Sequence, residues 1–99
     1  MVRHVVLLRF RAQGRGAAVA AAVQALRALP SQIPEIAELT VGPDRGSLSG
    51  TCDLALVVDF RSAADYLVYA EHPAHLRVIE EQITPFAVER HRAQIEFDD

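Results

Sequence analysis

The chain has 99 residues, 51% of them apolar, with 13 acidic and 10 basic side chains and a net charge of −3. That length holds one domain with a single core, small enough to be marginal alone. The basic residues are all arginine and are scattered, which argues against a nucleic-acid footprint. We read the arginine bias, with the heavy use of Ala and Val, as the composition of a GC-rich bacterial genome. No apolar run reaches the roughly 18 residues that a membrane span needs, and no signal peptide is recognisable. Cys52 is the single cysteine, so no internal disulfide forms. A soluble, cytoplasmic protein is expected.

Val2–Phe10 alternates cleanly and predicts a strand. Val2, His4, Val6, Leu8 and Phe10 share one face, on which His4 is the only polar residue; Arg3, Val5, Leu7 and Arg9 share the other. Residues 13–16 read as a loop. Residues 17–29 place Val19, Val23, Leu26 and Leu29 at helical spacing, an amphipathic helix ended by Pro30. A connector over 31–34 leads to a second strand at 36–41, followed by turn chemistry at Gly42-Pro43-Asp44 and over 46–50. The third strand, 53–60, carries Leu54, Leu56, Val58 and Phe60 on one face and Asp53, Ala55, Val57 and Asp59 on the other. Ser62 is placed to cap a helix running to Glu71.

The next stretch, Tyr69-Ala70-Glu71-His72-Pro73-Ala74-His75, is a corner. Pro73 forces the residue before it out of the helical region, yet suits the first turn of a new helix. That helix, 74–83, carries His75, Leu76, Ile79 and Ile83 on one stripe and ends at Pro85. Residues 90–97 alternate again as a last strand, with His91, Ala93, Ile95 and Phe97 on its inward side. The order β-α-β-β-α-β is the ferredoxin-like topology: α+β, one four-stranded antiparallel sheet with helices on one face. The uncovered face, with Val5, Leu7, Ala55 and Val57, predicts a homodimer paired sheet to sheet.

His4 and His75 come from distant positions, yet both aim into the layer between sheet and helices. Tyr69 reaches the same space across the bend, and His72 either orients one of them or faces solvent. Two imidazoles and a phenol in an apolar pocket suit proton transfer next to a carbonyl. A metal reading from His72, His75 and His4 lacks a carboxylate or Cys at ligand spacing, and no phosphate-cradling glycine loop or nucleophile elbow is present. The expectation is a site with no metal and no cofactor.

On these residues the chain resembles the stress-responsive A/B barrel (Dabb) family, of the dimeric α+β barrel group. The resemblance covers nearly the whole length. It rests on Arg3-His4-Val5-Val6-Leu7-Leu8-Arg9-Phe10, on Ile33-Pro34-Glu35-Ile36, Gly42, Cys52-Asp53-Leu54-Ala55-Leu56 and Asp59-Phe60, and above all on the Tyr69–His75 stretch. It implies a dimer whose sheets form a barrel with the helices outside. The family includes plant polyketide cyclases that perform a cofactor-free aldol condensation. By position, their base, tyrosine and strand-one histidine correspond here to His75, Tyr69 and His4. Val6, Leu8, Leu56, His72 and Ile79 are then expected around a small hydrophobic carbonyl ligand. The alternative is a non-catalytic stress-associated dimer in which His4 and His75 satisfy each other in the core. A cofactor-independent oxygenase, as in related barrels, is a third reading.

Overall fold

A computed structural model describes residues 1–98. Four strands form one antiparallel sheet in the order β2-β3-β1-β4. They are β1 (Val2–Phe10), β2 (Ile36–Pro43), β3 (Leu54–Phe60) and β4 (Ala87–Glu96). Three α-helices lie on one face: α1 (Arg15–Arg27), α2 (Ala63–Glu71) and α3 (Pro73–Val78). The ferredoxin-like α+β architecture expected from the alternation is therefore present.

Strand register decides which side chains meet the helices. His4 stands opposite Val58 and Val6 opposite Leu56, so the alternating apolar positions of β1 and β3 point the same way. With α1 they close a core in which Phe10, Leu26, Leu29, Ile33, Val58 and Phe60 are sealed from solvent. On the reverse face Val5 pairs with Val57 and Leu7 with Ala55. Arg3 crosses that face to grip Asp59 through two bonds of 2.8 and 3.0 Å. Among the described residues the face has no further layer over it, and Leu7 and Ile95 remain 39% and 52% exposed.

Several boundaries differ from the sequence expectation. The first helix starts at Arg15 because Gly14 adopts φ 71°, a left-handed conformation that glycine takes without strain, and turns the chain directly into the helix. It stops at Arg27, and the expected last turn is a 3₁₀ segment, Leu29–Ser31, holding Pro30. Gly42 and Pro43, read as turn residues, extend β2 along a sheet edge, where a missing N–H costs no ladder bond. The helix expected over 74–83 is α-helical only to Val78. It then widens into a π turn, Ile79–Ile83, closed by the Thr84 N–H donating to the Ile79 carbonyl at 2.8 Å. With that extra residue, Val78 and Ile83, five positions apart, are both buried, while Leu76 in the preceding α-helical turn is half exposed.

The largest correction concerns β4, which begins at Ala87 rather than at residue 90. His91 stands opposite Leu7, on the uncovered face, and not on the inward face expected from its apolar companions. There it bonds Glu89 at 3.0 Å. The inward positions of β4 are Arg90, Arg92 and Gln94, opposite Leu8, Val6 and His4. The apolar side of this edge strand is thus the uncovered face, and polarity alone misassigned it.

Candidate functional site

The corner at Pro73 folds as its residues dictate. Ser62 Oγ accepts from the Asp65 N–H at 3.1 Å and starts α2, which places Tyr66 and Tyr69 one turn apart on the sheet-facing side. His72, extended at φ −67° and ψ 134°, ends α2 and caps α3. Its Nδ1 accepts the Ala74 N–H at 3.0 Å. This ring builds the corner and is not among the residues lining the cavity described next.

Between sheet and helices lies a cavity of about 300 Å³, whose floor is Val6, Leu8 and Leu56 with Leu26 beside them. Ile79 and Ile83 of the π turn close one side. The remaining wall is a band of rings. His75 lies on Tyr69 at a centroid separation of 4.1 Å, Tyr69 neighbours Tyr66 at 6.3 Å, and Tyr66 neighbours His4 at 5.1 Å. Phe60 backs both tyrosines at 5.1 and 5.6 Å. Arg90 and Arg92 form the rim on β4.

The hydrogen bonds assign protons to both imidazoles. A backbone carbonyl only accepts, so His75 Nδ1 carries the hydrogen it donates to Ala70 O at 3.2 Å, and the lone pair is on Nε2. Across the cavity the Gln94 side-chain amide donates to His4 Nδ1 at 3.0 Å, which leaves the hydrogen of that ring on Nε2. One ring is set to accept a proton and the other to donate one. Burial, reinforced by the Arg92 charge and then by His75, holds the His4 pKa below the ordinary histidine value. Burial also lowers His75; its bond to Ala70 partly opposes the shift and His72 adds to it. The neutral form required of a general base is therefore favoured. Burial, with Tyr66 nearby, raises the Tyr69 pKa well above the ordinary phenol value, so Tyr69 stays protonated as a donor. Its hydroxyl has no hydrogen-bond partner among the described residues and is not a sealed orphan.

His4, Tyr69, His75, Val6, Leu8, Leu56 and Ile79 are thus brought to one cavity, and His72 is left outside it. His4 and His75 each bond a different partner, Gln94 and Ala70, rather than each other. Sequence reasoning missed Tyr66, which its spacing of three from Tyr69 would have placed, and Gln94, Arg90 and Arg92, for which only strand register gives a signal. A wider groove of about 610 Å³ runs along α1, but its arginines are engaged. Arg15 bonds the Phe10 carbonyl and pairs with Asp53, and Arg27 bonds the Val41 carbonyl.

A four-stranded antiparallel sheet, helices on one face and a histidine–tyrosine cavity between the layers define a ferredoxin-like α+β protein with an internal site. The chain belongs to the stress-responsive A/B barrel (Dabb) domain family, which it matches over residues 2–98. Among solved structures it is similar to a dimeric ferredoxin-like protein of unknown function from Thermobifida fusca. That likeness has a TM-score of 0.88 and 29% identity, over 97% of this chain and 90% of the other. A dimeric ferredoxin-like protein from Bacteroides fragilis, also of unknown function, gives a TM-score of 0.88 at 26% identity, over 97% and 95% of the two chains. The hydroxynitrile lyase of Passiflora edulis shares the fold at a TM-score of 0.84 and 22% identity, over 99% and 94%. No curated protein matches the sequence.

Proposed function

We infer that this chain binds a small apolar carbonyl compound in the sheet–helix cavity and moves a proton next to that carbonyl without a cofactor, a chemistry of the cyclase or lyase type. The observation that carries the reading is the pair of hydrogen bonds from which opposed protonation of the two imidazoles is assigned, His75 Nδ1 with the Ala70 carbonyl and His4 Nδ1 with the Gln94 amide nitrogen. His75, with its free Nε2, is the base that takes a proton from carbon. The Tyr69 hydroxyl and His4 Nε2–H donate to the oxygen on which negative charge develops. The apolar floor excludes water and strengthens both interactions. A volume of about 300 Å³ equals about ten waters at roughly 30 Å³ each, the scale of a phenyl ketone. That the hydroxynitrile lyase of Passiflora edulis is built on this fold supports a catalytic use of such a frame.

The protein works as a homodimer joined through the uncovered sheet face, as the dimeric relatives suggest. Val5, Leu7, Val57 and Ile95 are apolar surface that a second sheet would bury. A stable monomer at micromolar concentration in sedimentation equilibrium would reject this.

The catalytic reading is tested by incubating butyrophenone with the protein in D₂O and following loss of the protons beside its carbonyl by NMR. Exchange well above buffer, abolished in His75→Ala and reduced in Tyr69→Phe, is expected. Saturable binding with exchange no faster than buffer would leave a binding protein and remove the enzyme.

A further inference from the structure

The geometry points to an oxyanion on the ligand of this cavity, a carboxylate or phosphate joined to the apolar carbonyl body and held at the rim by Arg92 with Arg90 beside it. The inference rests on reading the cavity as a ligand site and adds the chemistry of the ligand's outer end. The two arginines come from alternate positions of β4, so both point to the helix side, and both line the cavity. Among the described residues no acidic side chain shares that lining. Arg90 donates to Thr84 Oγ1 at 2.9 Å, which holds it at the rim while leaving further N–H donors free. Arg92 has no hydrogen-bond or ion-pair partner among the described residues, and its positive charge is felt at His4.

Charged side chains on an edge strand also discourage pairing with other chains, but that role is indifferent to sign and to face. The two faces of this sheet differ. On the uncovered face Arg3 meets Asp59 and Arg9 meets Glu89. On the cavity side the positive charge is left unmatched. The depth of the cavity is apolar and its rings are neutral, so among the described residues the rim is the only part of it with charge to offer. A planar guanidinium presents paired donors that match a carboxylate or phosphate. A ligand would therefore enter with its apolar end toward Leu8 and Leu56, its carbonyl among the rings and its anion at β4.

The test compares 4-oxo-4-phenylbutanoate with its neutral amide, 4-oxo-4-phenylbutanamide, by calorimetric titration, with phenacyl phosphate as the phosphate arm. The wild-type protein is expected to bind at least one of the two anions about tenfold more tightly than the amide, and the preferred arm identifies the headgroup. Arg92→Gln should erase that advantage and leave the affinity for the amide unchanged. The advantage should also shrink with added salt, because the rim is exposed. Equal affinity for anions and amide, or an equal loss for all of them in Arg92→Gln, would overturn the oxyanion while the cavity remained a ligand site. Failure of every probe to bind, butyrophenone included, with His4 and His75 resonances unmoved, would overturn both readings.

Discussion

Replacing His75 by alanine removes one hydrogen bond and one ring contact, and the geometry sets the cost. The bond to the Ala70 carbonyl is 3.2 Å, at the long end, so about 0.5–1 kcal/mol is lost with it. The ring contact with Tyr69 at 4.1 Å contributes about 0.5–1.5 kcal/mol. Alanine, the better helix former, returns about 0.5 kcal/mol. The vacated space joins an existing cavity, where water can solvate the Ala70 carbonyl instead of leaving it unpaired. The net loss is about 0.5–2 kcal/mol, against about 3–5 for truncating a large ring in a sealed core. For a chain of this length it lowers Tm by about 2–16 °C. Guanidinium unfolding at one fixed protein concentration measures it.

The same unfolding series, run from about pH 7.5 to about pH 5, tests the protonation of the ring. Burial holds the folded pKa of His75 below the unfolded value of about 6.5. Between those two values the unfolded chain binds the extra proton, so stability is full above about pH 6.5 and falls on acidification. The slope reaches at most about 1.4 kcal/mol per pH unit for each such histidine. His4 is shifted in the same direction, so the wild type carries both contributions and the variant only one. A loss above about 4 kcal/mol, or an unchanged acid slope in the variant, would refute a neutral His75 walling an open cavity.

Tyr69→Phe keeps the buried ring and removes a hydroxyl with no partner among the described residues, so unfolding free energy should stay within about 0.5 kcal/mol; a larger loss would mean the hydroxyl holds the fold together. Gln94→Leu removes the donor to His4 Nδ1. Nitrogen-edited NMR should find the His4 proton on Nε2 in the wild type and mixed tautomers in the variant, and a wild-type Nδ1–H would reverse the assignment. Ser62→Ala deletes the cap of the helix carrying both tyrosines and should cost about 1 kcal/mol, with faster amide exchange across α2; exchange unchanged there would show that packing alone holds the helix.

Local chemistry was enough for much of this protein. Period-two alternation located β1 and β3, helical spacing and Ser62 located α1 and α2, and Pro73 marked the corner, because each depends on neighbours in the chain. The same logic placed His4, Tyr69 and His75 in one layer. It failed at Leu76, expected on the buried stripe but half exposed, and at the π turn, since nothing in residues 79–83 reports the extra residue. It failed more instructively at β4. An edge strand alternates whether its apolar side meets the helices or a bare sheet face, and only pairing with β1 decides between them. That register sends His91 away from the cavity and brings Gln94 to His4 and two arginines to the rim. Residue types and their spacing thus determined the fold and the rings that line the cavity; the proton on His4, set by a partner 90 residues away, and the charge at the entrance are visible only once the sheet is assembled.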